Sequence, residues 1–202
     1  MTGEDRRSEA SPGDVDSSAS SPAPLFEMLD LDSVADEVEP DLSFERSGYI
    51  VTLTVADEGQ VDGAALCEVA LTVLVDEAAP KGQLDLHLVD VDTVQELNKT
   101  HMGSDEPTDV LAFPLDPDDF DASSAGDRPA LLGDVVICPS VAFAQAPGHT
   151  GSFEAEMLLL AIHGTLHVLG HDHGETNERL LMQHRERHHL AALDVAHPVP
   201  AP

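Results

Sequence analysis

The run His163-Gly164-Thr165-Leu166-His167-Val168-Leu169-Gly170-His171-Asp172-His173 decides how this chain is read. His163 and His167 are four residues apart, which on an α-helix puts both imidazoles on one face about one turn apart. Gly170 follows three residues later, where a helix ending in a left-handed residue favours glycine. The chain can then turn back and bring His173 to the same point. Three neutral imidazoles with a fourth position open to water form the donor set of a catalytic zinc site holding one ion. The same three histidines also suit nickel, iron or copper. A lone pair at this spacing is ordinary on an apolar helix. Four histidines in eleven residues, with a glycine break before the third candidate ligand, point to metal.

The surroundings support a buried helix. Residues 157–169 are apolar nearly all round, and a buried helix carrying histidines needs a reason for them. Gly151-Ser152 is suited to cap its start, with Glu154 and Glu156 in the first turns where the helix dipole favours acid. Upstream, residues 49–55 are β-branched and read as a strand. Residues 61–78 have helical apolar spacing, and residues 84–89 alternate as a strand does. Residues 90–101 read as a second helix. Val110-Leu111-Ala112-Phe113 is a short strand closed by Pro114, and residues 131–138 look like a buried strand that could pair with it as an antiparallel hairpin. The acidic stretch 116–129 between them reads as a flexible excursion. A helix starts after Pro139. A last helix covers about 175–193, with Leu180, Leu181, Met182 and Leu190 as its apolar residues and His184, His188 and His189 on an exposed face.

Charge sets the outer bounds. The 202 residues carry 39 acidic and 9 basic side chains, net −30. Residues 1–47 account for 13 acidic and 3 basic, so the remainder still carries 26 against 6. Such a surface argues against broad non-specific nucleic-acid binding, and no DNA partner is expected. Acidic surfaces of this kind suit a salty cytoplasm. Cys67 and Cys138 read as buried thiols rather than a disulfide. No apolar run is long enough to span a membrane, and no signal peptide is visible, so a cytoplasmic protein without a membrane partner is expected. Three segments follow: an acidic disordered extension over 1–47, a folded domain over 48–193, and a flexible tail over 194–202.

The histidine spacing resembles that of the metzincin metallopeptidases, which carry Glu directly after the first His as general base. Here that position is Gly164, so a peptidase mechanism lacks its proton acceptor. The whole block resembles more specifically the signature of the YbeY family of rRNA-maturation endoribonucleases, His-Gly-x-Leu-His-Leu-x-Gly-x-Asp-His. Two further blocks match. Pro107-Thr108-Asp109-Val110-Leu111-Ala112-Phe113-Pro114 resembles the family's Pro-Thr-Asp-Val-Leu-Ser-Phe-Pro. Leu132-Gly133-Asp134-Val135-Val136-Ile137 resembles its Leu-Gly-Asp-Ile-x-Ile strand. Leu97-Asn98 fits the Leu-Asn of the preceding helix. The resemblance spans about residues 48–190 in the right order.

The resemblance implies an α+β domain, a small mixed sheet packed with helices, with zinc held by His163, His167 and His173 on and after the central helix. It implies metal-dependent cleavage of single-stranded RNA, 3′-end maturation of 16S rRNA, ribosome quality control, and rRNA and the small ribosomal subunit as partners. Water and the ribose 2′-OH are both open as the nucleophile. Asp172, Asp109 and Asp134 are candidates to support or line the site, and each has an equally simple structural use at a helix or strand end. His171 is expected to face solvent, because three histidines and water complete a tetrahedral ion. One position departs from the pattern: Met102 stands where many family members have an Arg thought to touch the RNA phosphate. Two other readings follow: a metal-binding ribosome-assembly factor with weak or no nuclease activity, and a zinc hydrolase of another substrate class.

Overall fold

The structure is a computed structural model that describes residues 40–56, 61–115 and 129–199. β1 (Leu42–Arg46) and β2 (Tyr49–Val55) form an antiparallel hairpin. Its two-residue turn, Ser47-Gly48, has positive φ at both positions (56° and 84°), the twist that matches paired strands. α1 (Gly63–Asp76) follows, capped by the Asp62 carboxylate accepting from the Ala65 amide at 3.0 Å. β3 (Gln83–Leu88) then runs parallel to β2. α2 (Val91–Leu97) continues into a π turn over Asn98–Met102. β4 (Val110–Pro114) and β5 (Leu131–Ile137) pair antiparallel, as the sequence suggests. The acidic excursion between them lies at 116–128 outside the described residues. α3 (Pro139–Gln145), a 3-10 turn at Ala146–Gly148, α4 (Phe153–Val168) and α5 (Thr176–Ala191) complete the domain.

The sheet order is β1-β2-β3-β5-β4, with β5 parallel to β3. This is an α+β fold with a mixed sheet. Period-two alternation sends Val51, Leu53, Leu84, Leu86, Leu88, Val135 and Ile137 to one face, where they bury against α1 and α4. Val136, Leu111 and Phe113 point to the other face and pack with Val94 and Leu97 of α2. Beyond that small cluster the second face is polar: Thr52 donates to Asp85 at 2.5 Å, and His87 pairs with Asp134 at 2.9 Å.

α4 lies close against β5 and β4 because residue 164 has no side chain. A Cβ built at Gly164 would stand 2.4 Å from a Val135 methyl and 3.4 Å from one of Val110. Cys67 and Cys138 are free and buried; burial, then the nearby Glu68 carboxylate, pushes the Cys67 thiol up to about 11. Among the described residues no helix is long and apolar enough to cross a membrane.

Three expectations need correction. The fold does not begin at Gly48. Leu42 and Phe44 pack on the core from β1, and only residues 1–39 of the acidic stretch lie outside the described residues. The segment after residue 193 is not loose as far as it is described. His197 Nε2 lies 2.7 Å from Glu186 Oε2, and Arg187 donates to the Val199 carbonyl at 3.2 Å. On α5, Leu180 and Leu181 are exposed, while Met182, Glu186, His189 and Leu190 form the buried stripe. His189 is therefore not on an exposed face, whereas His184 and His188 are exposed.

Candidate metal centre

α4 starts at Ser152, whose hydroxyl accepts from the Ala155 amide at 3.2 Å. It ends in a Schellman turn. Gly170 has φ +86°, its amide donates to the His167 carbonyl at 2.9 Å, and the His171 amide donates to the Leu166 carbonyl at 3.0 Å. That reversal carries His173 back over the last turn. Ring centroids are 4.6 Å apart for His163–His167, 4.9 Å for His167–His173 and 5.5 Å for His163–His173. One nitrogen from each ring lies within 4.8 Å of the others. The three residues read from spacing therefore converge.

The donors suit a borderline divalent ion. Burial, then the neighbouring His163 and His173 rings, push the His167 imidazole down to about 4, so it is neutral and able to ligate near neutral pH. His163 Nδ1 lies 2.7 Å from Glu186 Oε1. Burial would raise the Glu186 carboxyl, but hydrogen bonds from His163 and His197 outweigh it and hold the acid below its ordinary range. An ionised Glu186 fixes the proton on His163 Nδ1 and leaves Nε2 as that ring's donor atom, the carboxylate–histidine pairing common at metal sites.

Two clefts flank the histidines. One, of about 360 Å³, is lined by His163, His173, Asp109, Arg179, Glu186 and the 197–199 segment. The other, of about 550 Å³, runs along β4 and includes Met102, Asp109, His167 and Asp172. Asp109 thus lies beside the cluster on both sides, and its Oδ1 also accepts from the Val110 amide at 2.9 Å. Asp172 is exposed and its Oδ1 accepts from the His173 amide at 2.6 Å. That contact, more than the adjacent rings, holds its carboxyl low, so it shapes the turn and not a ring's orientation. Asp134 is on the far face of the sheet, buried against His87, and does not reach the cluster. Strand parity explains this: with Val135 turned toward α4, Asp134 must point away. His171 is half-buried, its Nε2 3.7 Å from Glu77 Oε2, so it is only partly turned to solvent.

Sequence reasoning missed Glu186 and His197. Glu186 had one legible signal: it sits between Met182 and Leu190 at intervals of four, on the buried stripe of α5. Arg179 donates from Nε to the His173 carbonyl at 3.3 Å and is the one Lys or Arg lining either cleft among the described residues. Two other basic side chains near Met102 are engaged. Lys99 pairs with Asp105 at 2.8 Å, and His101 stacks edge-on against Phe113 at 5.3 Å.

Comparison with known proteins follows the same residues. A family model described as "Endoribonuclease YbeY" matches residues 56–194. The "Endoribonuclease YbeY" of Salinispora tropica is 43% identical over 136 residues, covering 63% of this chain and 87% of that protein. The protein of the same name from a Parafrankia species is 38% identical over 145 residues, covering 70% and 90%. A solution structure of TM1509 from Thermotoga maritima is 26% identical and covers 71% of this chain and 92% of that one, with a TM-score of 0.46.

Proposed function

This chain belongs to the YbeY family of endoribonucleases, and we propose that it is a zinc-dependent, single-strand-specific endoribonuclease acting on rRNA of the small subunit in the cytoplasm, in 3′-end maturation and quality control. The observation that carries this reading is the convergence of His163, His167 and His173 beside an open cleft, with Glu186 orienting the first ring. A zinc ion held there would polarise a phosphoryl oxygen or lower the pKa of a bound water. The protein's own part is positional. Glu186 holds one ligand ring in a single tautomer, and Gly170 sets the return of His173. Arg179 offers a guanidinium to a phosphate in the adjoining cleft. Asp109 is a carboxylate within the same cleft, available as a proton acceptor. Gly164 leaves no room for the glutamate a metallopeptidase would carry there.

The test is cleavage of an rRNA precursor and of a peptide by purified protein, with and without chelator, and with His167→Ala. Chelator-sensitive cleavage of RNA alone, abolished by His167→Ala, is the expected outcome; chelator-insensitive RNA cleavage would overturn it. A 2′,3′-cyclic phosphate on the new end would identify the 2′-OH as nucleophile. A second reading, a metal-binding assembly factor with little nuclease activity, draws on Met102: it is exposed at the cleft, and the neighbouring Lys99 is tied to Asp105. Bound zinc without cleavage of any substrate would favour that reading.

A further inference from the structure

Eight of the chain's eleven histidines lie outside the cluster just described, and two of them meet an acid from a different helix. Asp76 is the last residue of α1, and His188 and His189 lie near the end of α5. Asp76 Oδ2 is 4.0 Å from His188 Nε2 and 3.8 Å from His189 Nδ1. One donor atom from each of the three falls within 4.8 Å of the others, the same criterion that the three-histidine cluster meets. Adjacent helical residues diverge, and these two converge because His188 reaches with its far nitrogen and His189 with its near one.

We propose that Asp76, His188 and His189 form a second metal site, for a divalent ion of the zinc class, that clips the end of α1 to α5. The hydrogen bonding of His189 carries the proposal beyond proximity. Its side chain is only 1% exposed, and its other nitrogen, Nε2, lies 3.3 Å from Glu77 Oε1. Glu77 also pairs with Arg185, which keeps it an acceptor. The proton of a neutral His189 therefore sits on Nε2, and the Nδ1 lone pair faces the Asp76 carboxylate. A divalent cation between that nitrogen and the carboxylate oxygen, 3.8 Å apart, would satisfy both. A protonated His189 would instead draw Asp76 to hydrogen-bond length, near 2.8 Å. The Glu77–His189 pair repeats the Glu186–His163 pair of the first cluster, a carboxylate behind a ligating ring.

Two imidazoles and a carboxylate are a zinc-type donor set with room left for water. At Zn–N and Zn–O distances of about 2.0–2.2 Å, tetrahedral donors stand roughly 3.4 Å apart, so the two Asp76–histidine distances of 3.8 and 4.0 Å must each close by about half an ångström and the two ring nitrogens, within 4.8 Å of each other, must draw together as well. The outer members can supply these shifts, since the side chains of Asp76 and His188 are 44% and 68% exposed. The consequence reaches the first cluster. Glu77 also stands 3.7 Å from His171, in the turn between His167 and His173. An ion at the second site thus braces that turn's neighbour from the α1 side.

Zinc stoichiometry by equilibrium dialysis decides this, using tag-free full-length protein in millimolar magnesium to suppress loose binding by acidic groups. Wild type should bind two equivalents. Asp76→Asn with His188→Ala should bind one, His167→Ala should keep one, and all three changes together should bind none. Asp76 and His188 are at the surface, so their variants should match wild-type unfolding in chelator, which separates metal loss from misfolding. A stoichiometry unmoved by the Asp76 and His188 changes would overturn the proposal. The readout is independent of RNA cleavage, so it stands or falls apart from the nuclease reading.

Discussion

At the scale of single residues, the ligands were legible and their support was not. His163, His167, Gly170 and His173 are local in sequence, so helical period and one left-handed glycine suffice to bring them together. Glu186 is 23 residues from the ring it holds. Only the packing of α5 on α4 joins them, and no spacing rule reports that. The acids nearest the histidines in sequence, or within matching blocks, drew attention instead. Asp172 turned out to fix a backbone amide, and Asp134 to face the wrong side of the sheet. A test of the orienting role is Glu186→Gln. The amide can still hydrogen-bond but no longer supplies a charge to the His163 ring. Zinc affinity measured by chelator competition should fall about 10- to 100-fold, with the ligands themselves unchanged. Affinity equal to wild type would reduce Glu186 to a packing role.

At the scale of elements, the central helix shows how one residue joins fold and site. α4 packs on β5 and β4 at Gly164, directly beside His163. Gly164→Ala puts a methyl into the Val135 side chain, which is β-branched and stiff, so the helix must lift or the strand must yield. Helix propensity favours Ala over Gly by about 1 kcal/mol, but overpacking of this kind costs about 1–3 kcal/mol. The steric term should win, lowering the midpoint of thermal unfolding and loosening zinc together. A rise in stability would mean that the contact is softer than the structure has it. Most elements were legible for the same reason α4 was: long apolar runs with a clear period. β1 was not, because its two inward residues, Leu42 and Phe44, sit in an acidic stretch whose composition reads as an extension. Their alternation with Ser43 and Glu45, and the Ser47-Gly48 turn after them, were the signals available. α5 misled in the opposite direction. Its adjacent Leu180 and Leu181 attract the eye, but the buried stripe passes through Met182, Glu186, His189 and Leu190.

At the scale of the whole molecule, acid and salt responses follow from where charge is held. In the metal-free protein His167 titrates near 4, below the ordinary histidine value. Between about pH 6.5 and 4 the unfolded chain therefore binds more protons than the folded one, and stability falls as pH falls through that window. Glu186 extends the loss below it, since its lowered carboxyl favours the folded state only while ionised. Metal-free protein should accordingly show a falling unfolding midpoint below about pH 6.5, and a midpoint flat down to pH 4 would contradict the burial of His167. Salt acts through net charge. With 39 acidic and 9 basic side chains, the chain repels itself and repels RNA. A nuclease that docks through a basic face loses affinity steeply as salt rises, because each phosphate contact releases counterions. Here the described clefts offer only Arg179 among Lys and Arg, so few counterions are released and screening relieves long-range repulsion. Cleavage of free single-stranded RNA at subsaturating substrate should then hold level or rise between about 50 mM and 0.5 M monovalent salt, as should the unfolding midpoint. A steep fall in rate would require a basic surface outside the described residues. Arg179→Ala should raise KM at every salt concentration without steepening the slope, because it removes one short-range phosphate contact and leaves the long-range repulsion in place.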